Sequence, residues 1–290
     1  MEYLIHIVIL INIYIIITSS TNLLVGVVNL LSMGQAAFYG LGAYFSVMAL
    51  MTFHLSLFPT LLIAISLTAI LSLIIAFPTL NLKGDYFVLA TLGFQLIIYS
   101  ILYNWISVTN GPFGIAGIPA PQLFRGIEIS GLWAFLALSS MLASIVVFIV
   151  YQLLHSPFGR ALRGIRDDEL SMLALGKNVM KFKVQIFFIS SGLIAVAGFL
   201  FATYVSYIDP TSFNLDESIF ILTAVIVGGL GNVKGPIIGS LFVILLPEAL
   251  RFLGMPDALA ANMRQIIFGL SLVFLMYIRP KGLAGTYEIK

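Results

Sequence analysis

Residues 3–31 read YLIHIVILINIYIIITSSTNLLVGVVNLL, and this run decides the fold class. It opens a stretch from Tyr3 to Leu82 that contains no Asp, Glu, Lys or Arg. The whole chain of 290 residues is 60% hydrophobic and 9% charged, whereas a soluble domain carries about 25% charged residues. Because no water-soluble fold could bury so much uncharged chain, the sequence predicts an all-α, polytopic transmembrane helical bundle.

Apolar segments separated by polar turns predict about 8–10 membrane spans within a single domain over residues 1–290. Residues 4–31 are too long for one straight crossing, so they form either one tilted span or a span followed by a half-helix. The other predicted spans lie at about 36–53, 58–77, 86–104, 132–153, 184–207, 218–230, 237–253 and 266–278.

Basic residues are concentrated in one connection, the loop 155–183, which holds six of the 14 Lys and Arg residues. Because cytoplasmic loops of membrane proteins are enriched in Lys and Arg, we expect this loop in the cytoplasm. Four predicted spans follow it, so the C-terminus, with Arg279, Lys281 and Lys290, is expected on the same side. The side of the N-terminus depends on how often residues 4–34 cross the membrane.

The same loop has the features of an amphipathic helix. Ser156 can cap it, Pro157 suits its first position and Gly176 suits its end. We predict one coupling element over about 157–175 that a cytoplasmic partner contacts. Its predicted contact residues are Phe158, Gly159, Arg160, Leu162, Arg163, Ile165, Asp167 and Gly176, with apolar packing at the centre and charges at the rim. A basic loop could instead only set the topology or contact anionic lipid.

Several kinds of chemistry are excluded by what the sequence lacks. The chain has no cysteine, and its three histidines are scattered at segment edges, so no metal site is predicted. Gly176-Lys177 is followed by Asn178, which does not fit a phosphate loop, so the chain is not expected to bind ATP or another cofactor itself. No acid–base pair lies within a span, so no catalytic residue is predicted and the chain is not expected to be an enzyme.

Two glycine-rich stretches are candidates for a translocation path. Residues 32–44, SMGQAAFYGLGAY, allow either close helix packing or a helix break. Residues 228–239, GGLGNVKGPIIG, hold five glycines and predict a turn or a re-entrant break, whose free backbone groups could bind a zwitterionic solute. The candidate path residues are Gly34, Gln35, Gly40, Gly42, Gly228, Gly229, Gly231, Gly235 and Pro236.

Six motifs in order along the chain resemble the inner-membrane permeases of ATP-driven branched-chain amino acid importers. They are MGQAAFYGLGAY (33–44), GDYFVLATLGF (84–94), NGPFGIAGIP (110–119), GRALRGIRDDELSMLALGKN (159–178), residues 209–239 and RPKGLAG (279–285). The pattern is more similar to the second of the two related permeases in such systems. One departure is Gly164, which stands where alanine is common and should loosen that helix by up to about 1 kcal/mol.

The resemblance implies a permease subunit that carries Leu, Ile or Val through a larger assembly. Its implied partners are a second homologous permease, two ATP-binding subunits that hold ATP and Mg, an extracytoplasmic solute-binding protein and the lipid bilayer, with no nucleic acid. Related permeases carry urea, short amides or other small amino acids, so these solutes are alternatives. A stand-alone carrier or channel, or a membrane-embedded enzyme acting on lipid, is a further alternative.

Overall fold

The computed structural model describes residues 2–82, 84–123, 128–252, 266, 269, 270, 273 and 282–285. Within these residues the helices are α1 (Glu2–Val28), α2 (Gln35–Phe53), α3 (Leu57–Thr79), α4 (Asp85–Asn104), α5 (Ile106–Thr109), α6 (Leu132–His155), α7 (Pro157–Asp167), α8 (Glu169–Ala174), α9 (Val179–Val205), α10 (Leu215–Gly228) and α11 (Lys234–Phe252). Short 3-10 turns lie at Gly111–Phe113 and Pro210–Phe213.

The prediction of an all-α, polytopic membrane bundle is confirmed. Six of the described helices, α1, α2, α3, α4, α6 and α9, are long and apolar enough to cross a membrane. Helices α10 and α11 occupy the predicted segments at 218–230 and 237–253. The predicted span at 266–278 and the basic C-terminal residues fall outside the described residues, apart from positions 266, 269, 270 and 273.

Helix α1 is continuous over 27 residues, which decides between the two interpretations of residues 4–31 in favour of one span. Its polar run does not interrupt it, and the hydroxyls of Thr18 and Ser20 are satisfied within the helix by 2.7 Å hydrogen bonds to carbonyls four residues earlier. Residues 18–22 are fully buried, so they face the protein interior.

The centre of the bundle is the packing of α2 against α9. A Cβ added at Gly42 would overlap the backbone of Ala195, and one added at Gly198 would overlap the carbonyl of Tyr39. Glycines at such a contact let two helix backbones approach closely. Gly42 therefore has the packing role that was one of the two interpretations of residues 32–44.

Two ends of the bundle can be distinguished. The loop end comprises residues 105–123, 128–131 and 206–214, where strands β1 (Ile115–Ala116) and β2 (Tyr207–Ile208) form an antiparallel pair. The basic end comprises residues 155–183, with α7 and α8. The strand pair fastens the long connection after α5 to the chain leaving α9.

Candidate functional site

The predicted coupling element over 157–175 consists of two helices, α7 and α8, at the basic end, and its coupling role stays a prediction. Ser156 caps α7 as expected, accepting a 3.1 Å hydrogen bond from the Gly159 amide, and Gly176 follows α8 with φ +75°. The break falls at Asp168, whose carboxylate accepts hydrogen bonds from the Leu170 and Ser171 amides. A capping side chain offers the backbone an alternative to continuing the first helix.

The same contacts set the protonation of the capping carboxylate. The hydrogen bond from the Ser171 hydroxyl, together with those from the backbone amides, lowers the pKa of Asp168 below its ordinary value. Asp168 therefore stays ionised near neutral pH and keeps capping the N-terminus of α8, where a negative charge is favourable.

The apolar face of α7 packs on the chain's own helices. Leu162 and Ile165 are 1% and 3% exposed, and α7 contacts α1, α6 and α9. A Cβ added at Gly159 would overlap the carbonyls at the end of α6. Leu162 and Ile165 therefore anchor α7 to the chain's own bundle, and their predicted role in contact with a partner stays a prediction.

The arginines of α7 also bind inward, to carbonyls at the C-terminal ends of two other helices. Arg163 donates to the Leu154 carbonyl at 3.0 Å, and Arg160 reaches the His155 carbonyl at 3.4 Å. Arg166 donates to the carbonyl of Gly26 at 3.2 Å and pairs with the neighbouring Asp167. Cations at helix C-termini satisfy carbonyls that lack a partner within the helix. These bonds fasten α7 to the ends of both α1 and α6.

Helix α8 exposes a surface that sequence reasoning did not identify. Leu170, Leu173 and Leu175 are 74%, 51% and 73% exposed, and no residue of α8 is buried. The helix is held by a 2.7 Å ion pair between Glu169 and Lys183. Apolar side chains clustered beside charged ones are typical of a protein contact surface.

Helix α7 is continuous through Gly164, and the expected loosening by this glycine stays a prediction. A Cβ at this position would meet the sulfur of Met172 at 2.7 Å. The glycine therefore gives Met172 room to pack where α8 folds back on α7.

The glycine stretch 228–239 contains a tight turn between two antiparallel helices, so the chain does not form one continuous span there. Helix α10 ends at Gly228 and α11 begins at Lys234. A Cβ at Gly228 would overlap the Gly235 carbonyl, and a Cβ at Gly239 would overlap the Ala224 carbonyl. Pro236 lies in the first turn of α11, where a missing amide hydrogen costs nothing.

Asn22 of α1 holds this turn and was missed as a functional residue. Its amide nitrogen donates to the Asn232 carbonyl at 2.8 Å, and its amide oxygen accepts from the Gly231 amide at 3.2 Å. Asn22 is fully buried, so both halves of its amide are used inside the protein. The signal in the sequence was an asparagine in a long apolar helix, because such a group needs a partner.

The start of α2 lies in the first candidate stretch, residues 32–44, and the backbone amides of Ala36 and Ala37 there are already paired. The Ala36 amide donates to Ser218 at 3.0 Å and the Ala37 amide to Gln95 at 2.6 Å. By contrast, the Gln35 side chain is fully buried, and neither of its polar atoms has a hydrogen-bond partner among the described residues. Gly34 precedes this helix start.

Gly40, the remaining candidate of the first stretch, is a packing residue like Gly42. A Cβ at Gly40 would lie 2.9 Å from the ring of Phe213. The two candidate stretches meet opposite ends of α10: Ser218 in its first turn bonds the start of α2, and Gly228 is its last residue. An α-helix of 14 residues is about 20 Å long, so these stretches do not form one cluster.

Gln95 of α4 connects its own helix to α2 and to the 3-10 turn at Pro210–Phe213, so replacing it should destabilise the protein. Besides accepting from the Ala37 amide, it donates to the Phe213 carbonyl at 2.7 Å. We expect Gln95→Leu to lower the free energy of unfolding by about 1–3 kcal/mol for each buried group left without a partner. Thermal unfolding of the purified protein in detergent measures this. Gln152→Leu, at an exposed position of α6, is the control, and equal midpoints for the two variants would contradict the assignment.

A cavity of about 560 Å³ opens at the loop end between α1, α10 and α11. Its lining includes the carboxylates Asp216, Glu217 and Glu248, and the Tyr14 hydroxyl donates to Glu217 at 2.5 Å. In the sequence these acids lie in a turn and near the end of a separate span. The fold brings them to one cavity, which periodicity could not predict.

Comparison with known proteins gives one consistent result. Residues 3–276 match the family model described as "Branched-chain amino acid transport system / permease component". The chain is 32% identical to the high-affinity branched-chain amino acid transport system permease protein LivM of Escherichia coli K12, over 93% of this chain and 67% of the relative. It is 29% identical to a protein of Methanocaldococcus jannaschii named probable branched-chain amino acid transport permease protein LivM, over 77% of this chain and 68% of the relative.

A second type of permease is also similar. The high-affinity branched-chain amino acid transport system permease protein LivH of Salmonella typhimurium is 24% identical, over 96% of this chain and 92% of the relative. The identity to these LivM proteins is higher, which agrees with the resemblance to the second of the two permeases. No solved structure matches the chain.

Proposed function

This chain belongs to the family of branched-chain amino acid transport permease components, and on that basis we propose that it forms part of the translocation path of an ATP-driven importer for Leu, Ile and Val. The observation that carries the proposal is the family match over residues 3–276, which includes all six candidate spans. Residues 1–290 act as one permease domain, and ATP and Mg are bound by separate subunits. The remaining partners are a homologous second permease and an extracytoplasmic solute-binding protein.

In this proposal the basic end lies in the cytoplasm, because Lys and Arg are enriched in cytoplasmic loops. The ATP-binding subunit contacts the exposed leucines of α8 at the centre and charged groups such as Arg160 and Asp167 at the rim. Movement of α7 and α8 is then transmitted to two spans. Arg163 is bonded to the end of α6, and Arg166 is bonded to the end of α1. Through Asn22 of α1 the same movement reaches the glycine turn after α10.

Gln35 is the candidate path residue with the best structural support. An unpaired buried amide costs about 1–3 kcal/mol, which a passing solute or water could offset by bonding to it. The amide can donate and accept at once, which suits the two charged ends of an amino acid. The turn residues Gly228, Gly229, Gly231, Gly235 and Pro236 form the second candidate region, which moves with α10 and α11.

Uptake by reconstituted vesicles tests this function. Vesicles that hold this chain with its second permease, ATP-binding subunits and solute-binding protein should accumulate labelled leucine only with ATP inside. Excess Ile or Val should compete, while urea or acetamide should not. Vesicles with this chain alone should show no uptake. Flux without ATP would indicate a carrier or channel, and competition by urea would assign an amide substrate instead.

A further inference from the structure

A cavity of about 500 Å³ lies on the outer surface of the bundle near the basic end. Leu73 of α3, Leu153 of α6 and Phe158 of α7 contribute to its walls, and α9 supplies the rest. Apart from Gln185, every residue that lines it is apolar. Phe188 in the same wall is 37% exposed, so the cavity faces the surroundings of the bundle and not its core.

The surroundings of a membrane bundle at this depth are lipid. Lys181 and Phe188 are seven residues apart on α9, which places the cavity within about 10 Å of the charged end of that helix. An apolar cavity between spanning helices at this level is filled by hydrocarbon, because water would find almost no polar partner there.

A lysine lies on α9 one helical turn before the residues that line the cavity. Lys181 lies three residues before Val184 and four before Gln185, so it lies on the same face of α9, one turn nearer the basic end. Its side chain is exposed, and among the described residues no carboxylate pairs with it. The neighbouring Lys183 differs, because its ammonium group is paired with Glu169 at 2.7 Å.

We propose that this cavity is a binding site for an anionic phospholipid. One acyl chain fills the space between α3, α6, α7 and α9, and the phosphate group pairs with the Lys181 ammonium. Charge and apolar surface are thus arranged in the order that a phospholipid presents them, with the head group at the membrane surface and the chain below it.

The site includes part of the coupling element. Phe158 of α7 contributes to the cavity wall and stacks on Phe182 of α9, with ring centroids 5.4 Å apart and an interplanar angle of 21°. An acyl chain in the cavity therefore contacts α7 directly. The proposal depends on the membrane-spanning fold and not on the solute, so it can fail while the transport function stands.

Lipid retention by the intact transporter, with all its partner subunits, tests the proposal. The complex is purified in detergent, mixed with equal amounts of phosphatidylglycerol and phosphatidylcholine of matched chains, and analysed by native mass spectrometry. One Lys contact near a membrane surface favours the anionic lipid by about fivefold. Lys181→Gln should remove this preference. Lys177→Gln, at another exposed lysine of the same loop and outside α9, should leave it unchanged.

A second variant tests the acyl chain separately from the charge. Leu73→Trp fills the cavity and should lower the retention of both lipids, whereas Lys181→Gln affects only the anionic one. A preference for phosphatidylglycerol that survives Lys181→Gln would overturn the proposal. The proposal would also be overturned if the wild-type complex retained no phosphatidylglycerol. That result would mean that another protein chain, and not lipid, covers this face.

Discussion

We expect replacement of Leu170 and Leu173 together by Asp to separate this chain from the proposed ATP-binding subunit and to abolish ATP-driven uptake. These side chains are 74% and 51% exposed, and they lie on a helix that buries none of its residues. If these leucines are the central anchors of the contact, losing either one reduces the binding free energy by about 2 kcal/mol or more. Even one such loss weakens binding about thirtyfold. Co-purification with the ATP-binding subunit and leucine uptake by vesicles measure the effect.

The matched control for this double variant is Lys177→Asp. It adds negative charge to the same loop without changing the leucines, so it distinguishes apolar contact from simple charge repulsion. The double variant should insert in the membrane at wild-type levels, because Leu170 and Leu173 are exposed and not part of the core. Undiminished co-purification would show that the ATP-binding subunit contacts a different surface.

Gly198→Val should prevent stable folding. The added Cβ would overlap the Tyr39 carbonyl and lie 2.5 Å from the Ala43 amide nitrogen. Both are backbone atoms of α2 and cannot rotate away, so the two central helices must separate. Overpacking of a well-packed core typically costs about 1–3 kcal/mol, and contact with backbone lies at or above the upper end. We expect a large loss of folded protein after detergent extraction and a clearly lower unfolding midpoint.

Gly93→Val provides the comparison for this substitution. Gly93 also lies within a spanning helix, α4, but nothing lies within 4 Å of the Cβ it would gain. The same change of residue type therefore occurs without the backbone clash. Similar yields and midpoints for the two variants would mean that α2 and α9 are not as close as Gly198 indicates.

Much of the fold followed from composition and the order of apolar and polar segments. The uncharged run from Tyr3 to Leu82 required a membrane, and the Ser156 cap was visible as a local pattern. The glycines at 228–239 likewise required a turn or a re-entrant break, because so many of them cannot continue an ordinary span. Signals of this kind lie within a few residues of the structure they determine.

The predicted coupling element shows what such local signals cannot determine. Periodicity correctly placed Leu162 and Ile165 on one face of a helix, but it could not tell whether that face meets a partner or the chain's own helices. The structure buries this face and exposes the leucines of α8 instead. The difference arises because the Asp168 cap breaks the helix and turns α8 to another direction.

By itself the sequence determined a helical membrane protein with one basic loop, an amphipathic helix in that loop and a break in the helical chain within residues 228–239. Only the tertiary structure decided which groups meet across the chain, such as Asn22 with Asn232 and Gln95 with Phe213. The physical reason is that a buried amide must find a partner, but many carbonyls along the chain could serve. The packing of whole helices selects one of them, and that packing depends on contacts between residues far apart in the sequence.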